Sequence, residues 1–169
     1  MSPHPDFLPI QKLTASHQVE AFDCGYEALN QYLHRYAWLS NNPAQTYVAV
    51  KGKTVIGFYT LAVGSVLYEQ TPGRVKKGLA KHPVSVMILA RLAVKQIAQG
   101  QGLGQALLKD TLLRTVEASE IAGIRALLVH AKDRTAKEWY EQFDFEPSPT
   151  DEYHLFLLMK DLKALLAAQ

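Results

Sequence analysis

The feature that most restricts this chain is a junction: residues 84–94 read VSVMILARLAV, and shortly after them residues 99–108 read QGQGLGQALL. The first stretch is apolar at nearly every position. That pattern fits a strand covered on both faces, hence the centre of a sheet. It carries Arg91 and is far shorter than the roughly 20 residues of a membrane span. The second stretch places glycine at 100, 102 and 104, at the mouth of a helix, where each glycine costs about 1 kcal/mol relative to alanine. First-turn N–H groups of a helix have no intrahelical partners and, with the helix dipole, attract anions. Bare backbone at Gly100, Gly102 and Gly104 lets a pyrophosphate approach those amides closely.

Two anion-binding fingerprints are tested directly. A P-loop needs Lys and then Ser or Thr after its second glycine, but Gly104 is followed by Gln105 and Ala106. The dinucleotide pattern G-x-G-x-x-G starts at Gly100 and Gly102 and meets Gln105 at the third glycine. What remains is Q-x-x-G-x-G over 99–104, for which a plain glycine-rich connection is the alternative.

The rest of the chain predicts an α+β fold, with helices interrupting a sheet rather than alternating strictly with its strands. Residues 7–12 suit a short edge strand beside Pro5 and Pro9. Residues 26–38 place Tyr26, Leu29, Leu33, Tyr36 and Ala37 at helical spacing. TYVAV (46–50) and residues 54–66 flank KGK as a hairpin. From Gly102 to about Glu120, positions Gly104, Leu107, Leu108, Thr111, Leu112 and Thr115 form one core-facing stripe. Leu113 and Val116 lie on the other side, free for a further element or a second subunit. A buried strand over 125–131, a short helix capped by Asp133 with Ala136, Tyr140 and Phe143 on one face, a strand over 153–159 and a last helical turn or two over 161–168 complete the pattern.

With 169 residues and no repeat or linker, one domain over 1–169 is expected. Cys24 is the only cysteine, so no intrachain disulfide forms; with no basic and apolar leader at the N-terminus, the expected compartment is the cytoplasm. The net charge of +2, from 18 basic and 16 acidic residues, excludes a globally basic nucleic-acid binder. A local patch remains in GRVKKGLAKH (73–82), whose plainer reading is a solvated loop. The histidines at 4, 17, 34, 82, 130 and 154 show no metal-ligand spacing, and no metal is expected. His130 and Cys24 read as structural residues.

The Q-x-x-G-x-G run after a buried strand resembles the coenzyme A loop of GNAT-type N-acetyltransferases. FDCGYEALNQYL (22–33), TYVAV, FYTLAVGSV (58–66), ILARLAVKQIAQGQGLGQALLKD (88–110) and RALLVHAKDRTAKEWYEQFDFEPSP (125–149) further resemble the TacT-like toxins that acetylate aminoacyl-tRNA. The resemblance implies a mixed, mostly antiparallel sheet whose strands 84–95 and 125–131 splay around pantetheine. It implies acetyl-CoA held along Leu92, Ala93 and Val94, with its phosphates at Gln99, Gly100, Gln101, Gly102, Leu103, Gly104 and Gln105. It further implies a catalytic Tyr140, a homodimer, and a ribbon-helix-helix antitoxin that covers the active site and alone mediates contact with operator DNA. Two positions depart from the family. Asp144 stands between Phe143 and Phe145 where relatives carry Gly, and Lys95 stands where many carry Asp.

Acetyl transfer needs a neutral amine, a polarised thioester carbonyl and a proton for the leaving thiolate. A backbone N–H at or beside Val94 suits the second task, and Tyr140, with an ordinary pKa near 10, suits the third. No carboxylate stands out as a base. An α-amine near pKa 7.7 is neutral roughly a sixth of the time at pH 7, against about one in a few thousand for lysine, which favours aminoacyl-tRNA. Its phosphates are expected at Arg35, Arg74, Lys76, Lys77, Lys81, Arg91 and Lys95. A small amine or protein N-terminus is the alternative acceptor, and a non-catalytic coenzyme A-binding module is the third reading.

Overall fold

The computed structural model describes residues 9–39 and 41–168. Seven strands form one sheet: β1 (Gln11–Lys12), β2 (Gln45–Lys51), β3 (Thr54–Val66), β4 (Val84–Val94), β5 (Ala126–His130), β6 (Glu146–Pro147) and β7 (His154–Leu158). Their order is β1-β2-β3-β4-β5-β7-β6, so β4 is the central strand, as its apolar run predicts. The pairings are mixed, antiparallel except between β4 and β5 among those in register. Contacts gather into two compact units, one comprising Met1–Ala62 and Ala90–Thr111, the other Val63–Leu89 and Leu112–Gln169. No helix among the described residues is long and apolar enough to cross a membrane.

In the first unit, β2 and β3 form the expected hairpin, turned at Gly52 (φ +66°) and bulged between Ala49 and Val50. One face of β3 carries Phe58 into a core with Phe22, Tyr32, Leu33 and Val48. The other face carries Gly57, where an added Cβ would lie 3.0 Å from Leu107 Cδ1 and 3.1 Å from Leu103 Cδ2. Gly57 therefore lets helix α3 (Leu103–Ser119, third of the five described below) lie close against the strand. Tyr59, on that same face, fixes the packing by donating its hydroxyl proton to Asp110. The predicted stripe of this helix is buried at Leu107, Leu108, Thr111, Leu112 and Thr115, while Leu113 stays exposed.

Two expectations are corrected in this unit. The edge strand is only Gln11–Lys12, paired with Val48 and Tyr47; residues 7 and 8 lie outside the described residues. The helix predicted over 26–38 is α1 (Glu27–Gln31) followed by a π-helical turn, Tyr32–Tyr36, closed by the Ala37 N–H on the Tyr32 carbonyl at 2.9 Å. The extra residue in that turn shifts the helical phase. Tyr32 turns into the core beside Leu33, and Tyr26 and Tyr36, both expected on the buried face, are half exposed.

In the second unit, β4 pairs with β5 from Val86–Ala126 to Leu89–Val129; the rest of β4, to Val94, belongs to the first unit. β5 pairs with β7 over five positions, and β7 carries the two-residue strand β6, too short to show periodicity in the sequence. The core holds Val75, Val84, Val86, Ala126, Leu128, Phe156 and Leu158. Residues 73–76 of the basic segment, read as loop, form the short helix α2 (Gly73–Lys76) with Val75 fully buried. Asp133 caps α4 (Arg134–Glu141) as expected, its Oδ1 accepting from the Ala136 N–H at 2.8 Å. Asp144, in the place of the family's glycine, adopts φ +71°, a left-handed conformation that Asp tolerates better than most residues. The chain ends in α5 (Met159–Ala167), fuller than the turn or two predicted.

Candidate active site

Between Val94 and α3 the chain makes a short 3-10 turn, Gln96–Ala98, and then the glycine loop. Gly100 and Gly102 hold φ +80° and +85°, which L-residues with a Cβ rarely adopt. A Cβ built on either meets nothing within 4 Å. The backbone conformation therefore requires glycine, and the space above the loop is open. Beyond it, the first N–H groups of the 17-residue helix α3 have no intrahelical acceptors. This donor set fits a diphosphate, the anionic core of acetyl-CoA.

The loop is held from below. Gln99, expected near the phosphates, turns its side chain back into the protein: Nε2 donates to the Val94 carbonyl at 2.9 Å and to the Cys24 carbonyl at 3.3 Å. Its backbone remains with the loop, but its side chain works as a strap. A second strap runs from the Gln96 N–H to the Asp23 carbonyl at 2.9 Å. Asp23 in turn accepts from the Gly25 N–H and from Asn30 Nδ2, which hold its carboxyl below the usual carboxylate range. Gly25 sits at φ +91°, and a Cβ there would lie 2.8 Å from Gln96 Nε2. Leu103 and Ala93 are buried anchors, Leu92, Val94 and Gly104 are half-buried, and Gln101 and Gln105 are exposed. The Lys95 N–H donates to the Ile56 carbonyl at 2.8 Å, tying the end of β4 to β3. Sequence reasoning missed Asp23, Asn30 and Gln96: the Gln96–Asp23 bond joins distant segments, and the Asp23–Asn30 turn that supports it has no periodicity to read.

Tyr140 belongs to the second unit. It lies on α4 with 6% of its surface exposed, edge-on to Trp139 at 4.9 Å and to Phe145 at 5.4 Å. Burial raises its phenol above the ordinary value, because the phenolate would lose its water without gaining a partner. No group among the described residues accepts its proton. The hydroxyl is a protonated donor throughout the neutral range.

The candidate cations are held in different ways. Arg74 forms a two-pronged pair with Asp161 at 2.8 and 3.2 Å and lies 3.7 Å from Glu146. Lys76 donates to the Tyr68 carbonyl at 3.2 Å and covers the Tyr68 ring. Arg35, Lys77 and Lys81 are exposed, Lys95 is half-buried, and Arg91 lies over the Tyr32 ring. His130 stacks on His154 with centroids 4.0 Å apart, and His154 Nε2 is 3.3 Å from Asp151, in keeping with a structural role. Cys24 is buried. Among the described residues no group of three His, Cys, Asp or Glu is placed to hold a metal ion.

The chain resembles known proteins over most of its length. The family model of the acetyltransferase (GNAT) domain matches residues 42–147. The tRNA-acetylating toxin of Mycobacterium tuberculosis is 43% identical over 159 residues, covering 92% of this chain and 95% of that protein. The structure of AtaT complexed with acetyl-methionyl-tRNAfMet superposes with a TM-score of 0.86 at 28% identity, covering 95% of this chain and 99% of that one. A tyrosine-to-phenylalanine mutant of the AtaT toxin, bound to the C-terminus of the antitoxin AtaR and to acetyl-CoA, superposes with a TM-score of 0.80 at 28% identity, covering 95% and 98%.

Proposed function

The chain belongs to the GNAT acetyltransferase family, and from that premise we propose that it is a toxin that acetylates the α-amino group of aminoacyl-tRNA and so blocks translation. The observation that carries this reading is its likeness, over nearly its whole length, to a protein that bears that activity in its name. We take residues 1–169 as one catalytic domain that acts in the cytoplasm as a homodimer. Its partner in this reading is a ribbon-helix-helix antitoxin, through which alone it reaches operator DNA.

Acetyl-CoA, when bound, supplies the acetyl thioester. The backbone of residues 99–105 would hold its diphosphate and Leu92, Ala93 and Val94 its arm, where a backbone N–H at or near Val94 would polarise the carbonyl. Tyr140 Oη keeps its proton at neutral pH, a state that burial strengthens, and gives it to the leaving sulfur. A charged α-amine of ordinary pKa near 7.7 needs no strong base to present a neutral fraction. Arg35, Arg74, Lys76, Lys77, Lys81, Arg91 and Lys95 are the proposed contacts for tRNA phosphates.

The deciding experiment incubates purified protein with labelled acetyl-CoA and total charged tRNA, with deacylated tRNA as control. Label is expected on charged tRNA only. Tyr140→Phe should keep its fold and acetyl-CoA affinity while turnover falls at least about tenfold. Labelling of free amines or peptide N-termini in preference to charged tRNA would replace the proposed acceptor.

A further inference from the structure

Among the candidate cations, Arg91 is held by an aromatic ring with no hydrogen bond or ion pair to the described residues. Its guanidinium carbon lies 3.7 Å from the centroid of the Tyr32 ring, which is itself stacked on Phe58 at 6.2 Å and 17°. The far end of Tyr32 is also fixed. Asn42 Nδ2 donates to the Tyr32 hydroxyl at 2.7 Å and to the Tyr36 carbonyl at 3.1 Å. Tyr32 lies three residues after Leu29, its N–H still on the Ala28 carbonyl, so α1 itself turns it toward the core. Arg91 makes no ion pair or hydrogen bond with the described residues, so ring stacking orients the guanidinium while its N–H donors stay uncommitted.

On the Phe58 face of β3, a guanidinium with no carboxylate on it among the described residues is complemented by an oxygen-rich anion. That anion is not the diphosphate at the glycine loop, because α3 packs on the opposite face of β3, where Gly57 meets Leu103 and Leu107.

We propose that Arg91 binds a phosphodiester near the single-stranded 3′ end of the acceptor RNA, and that Tyr32 and Asn42 are positioning residues that hold its guanidinium ready. The assignment rests on the proposed acceptor. Of the candidate cations it selects the one whose orientation is fixed but whose donors are free; a planar guanidinium offers a phosphate two parallel N–H bonds.

The test measures binding of a short single-stranded RNA of tRNA 3′-terminal sequence by fluorescence anisotropy across a salt series. It also measures KM for charged tRNA and for acetyl-CoA. Arg91→Gln should weaken RNA binding about tenfold and make the salt dependence shallower by about 0.7 in slope, with KM for acetyl-CoA moving less than about twofold. Arg91→Lys should not restore affinity, since a lysine cannot lie flat on the ring. Tyr32→Phe and Asn42→Ala keep Arg91 and should each weaken RNA binding about two- to threefold, an effect that a purely structural role would not produce. Unchanged RNA binding in folded Arg91→Gln, or in both positioning variants, overturns the assignment, as does a rise confined to KM for acetyl-CoA. If wild-type protein acetylates no charged tRNA and yet loses RNA binding in Arg91→Gln, the acceptor reading fails while the anion site stands.

Discussion

Two stretches of this chain advertise an anion site, 99–105 by the side chains it lacks and 73–82 by the charges it carries. The structure treats them in opposite ways. In the glycine loop, Gly100 and Gly102 leave backbone uncovered beneath open space, and the one long polar side chain with a defined partner, Gln99, is turned inward as a strap. In the basic segment, Arg74 is committed to Asp161 and Glu146 and Lys76 to the Tyr68 carbonyl, leaving Lys77 and Lys81 exposed. What makes an anion site is an uncommitted donor held in place. Arg91 obeys the same rule on a side chain, fixed by stacking and with its N–H groups free of partners among the described residues.

The contrast breaks most visibly at Gly102. Gly102→Val forces a β-branched residue into φ +85° and covers the amides, and acetyl-CoA affinity measured by calorimetry should fall at least about tenfold. Unchanged affinity would mean that the bare backbone is not the ligand's seat. The next effect sharpens the other side. Reversing Lys76 and Lys77 to Glu should raise KM for charged tRNA about threefold to tenfold, more than it weakens acetyl-CoA binding. Reversing Lys77 and Lys81, which have no committed partner, should do as much without the loss of thermal stability that Lys76→Glu brings. Equal losses toward both ligands would assign the segment to the cofactor instead.

The smallest effect concerns charge gained by protonation. Partial desolvation, and then the neighbouring His154, hold His130 below the ordinary imidazole value, against the pull of Asp151. A folded-state pKa depressed below the unfolded value near 6.5 gives stability that is present above that pH and is lost as pH falls through it. His130→Asn should therefore flatten the decline in melting temperature between pH 7 and pH 5 while leaving it unchanged at pH 8. An identical slope in both proteins removes His130 as a source of acid sensitivity.

Much of the fold was legible because it depends on local periodicity. The central strand announced itself through an apolar run that only a doubly covered strand tolerates, and α4 through Asp133 at a cap position. Elements whose shape depends on distant contacts were not legible. The π turn at Tyr32–Tyr36 broke the expected stripe after Tyr32, so that Tyr36 is half exposed while Tyr32 keeps its place on Phe58. β6 has two residues and no period to read. At the candidate site the glycines and Tyr140 were visible through motif and family likeness. The inward turn of Gln99 and the roles of Asp23, Asn30 and Asn42 were not: Gln99 reaches Cys24 across 75 positions, and the other bonds form in irregular turns that carry no periodic signal.

The amino-acid order alone determined the sheet's centre, the hairpin, the long helix and the place where backbone is left bare. These follow from hydrophobic spacing and from glycine's freedom at positive φ, which act over a few residues. Only the tertiary structure decided which charged and polar side chains are free to meet a ligand. Availability depends on whether a partner, brought close by folding, has already taken the donor, as Asp161 takes Arg74 and as no carboxylate among the described residues takes Arg91.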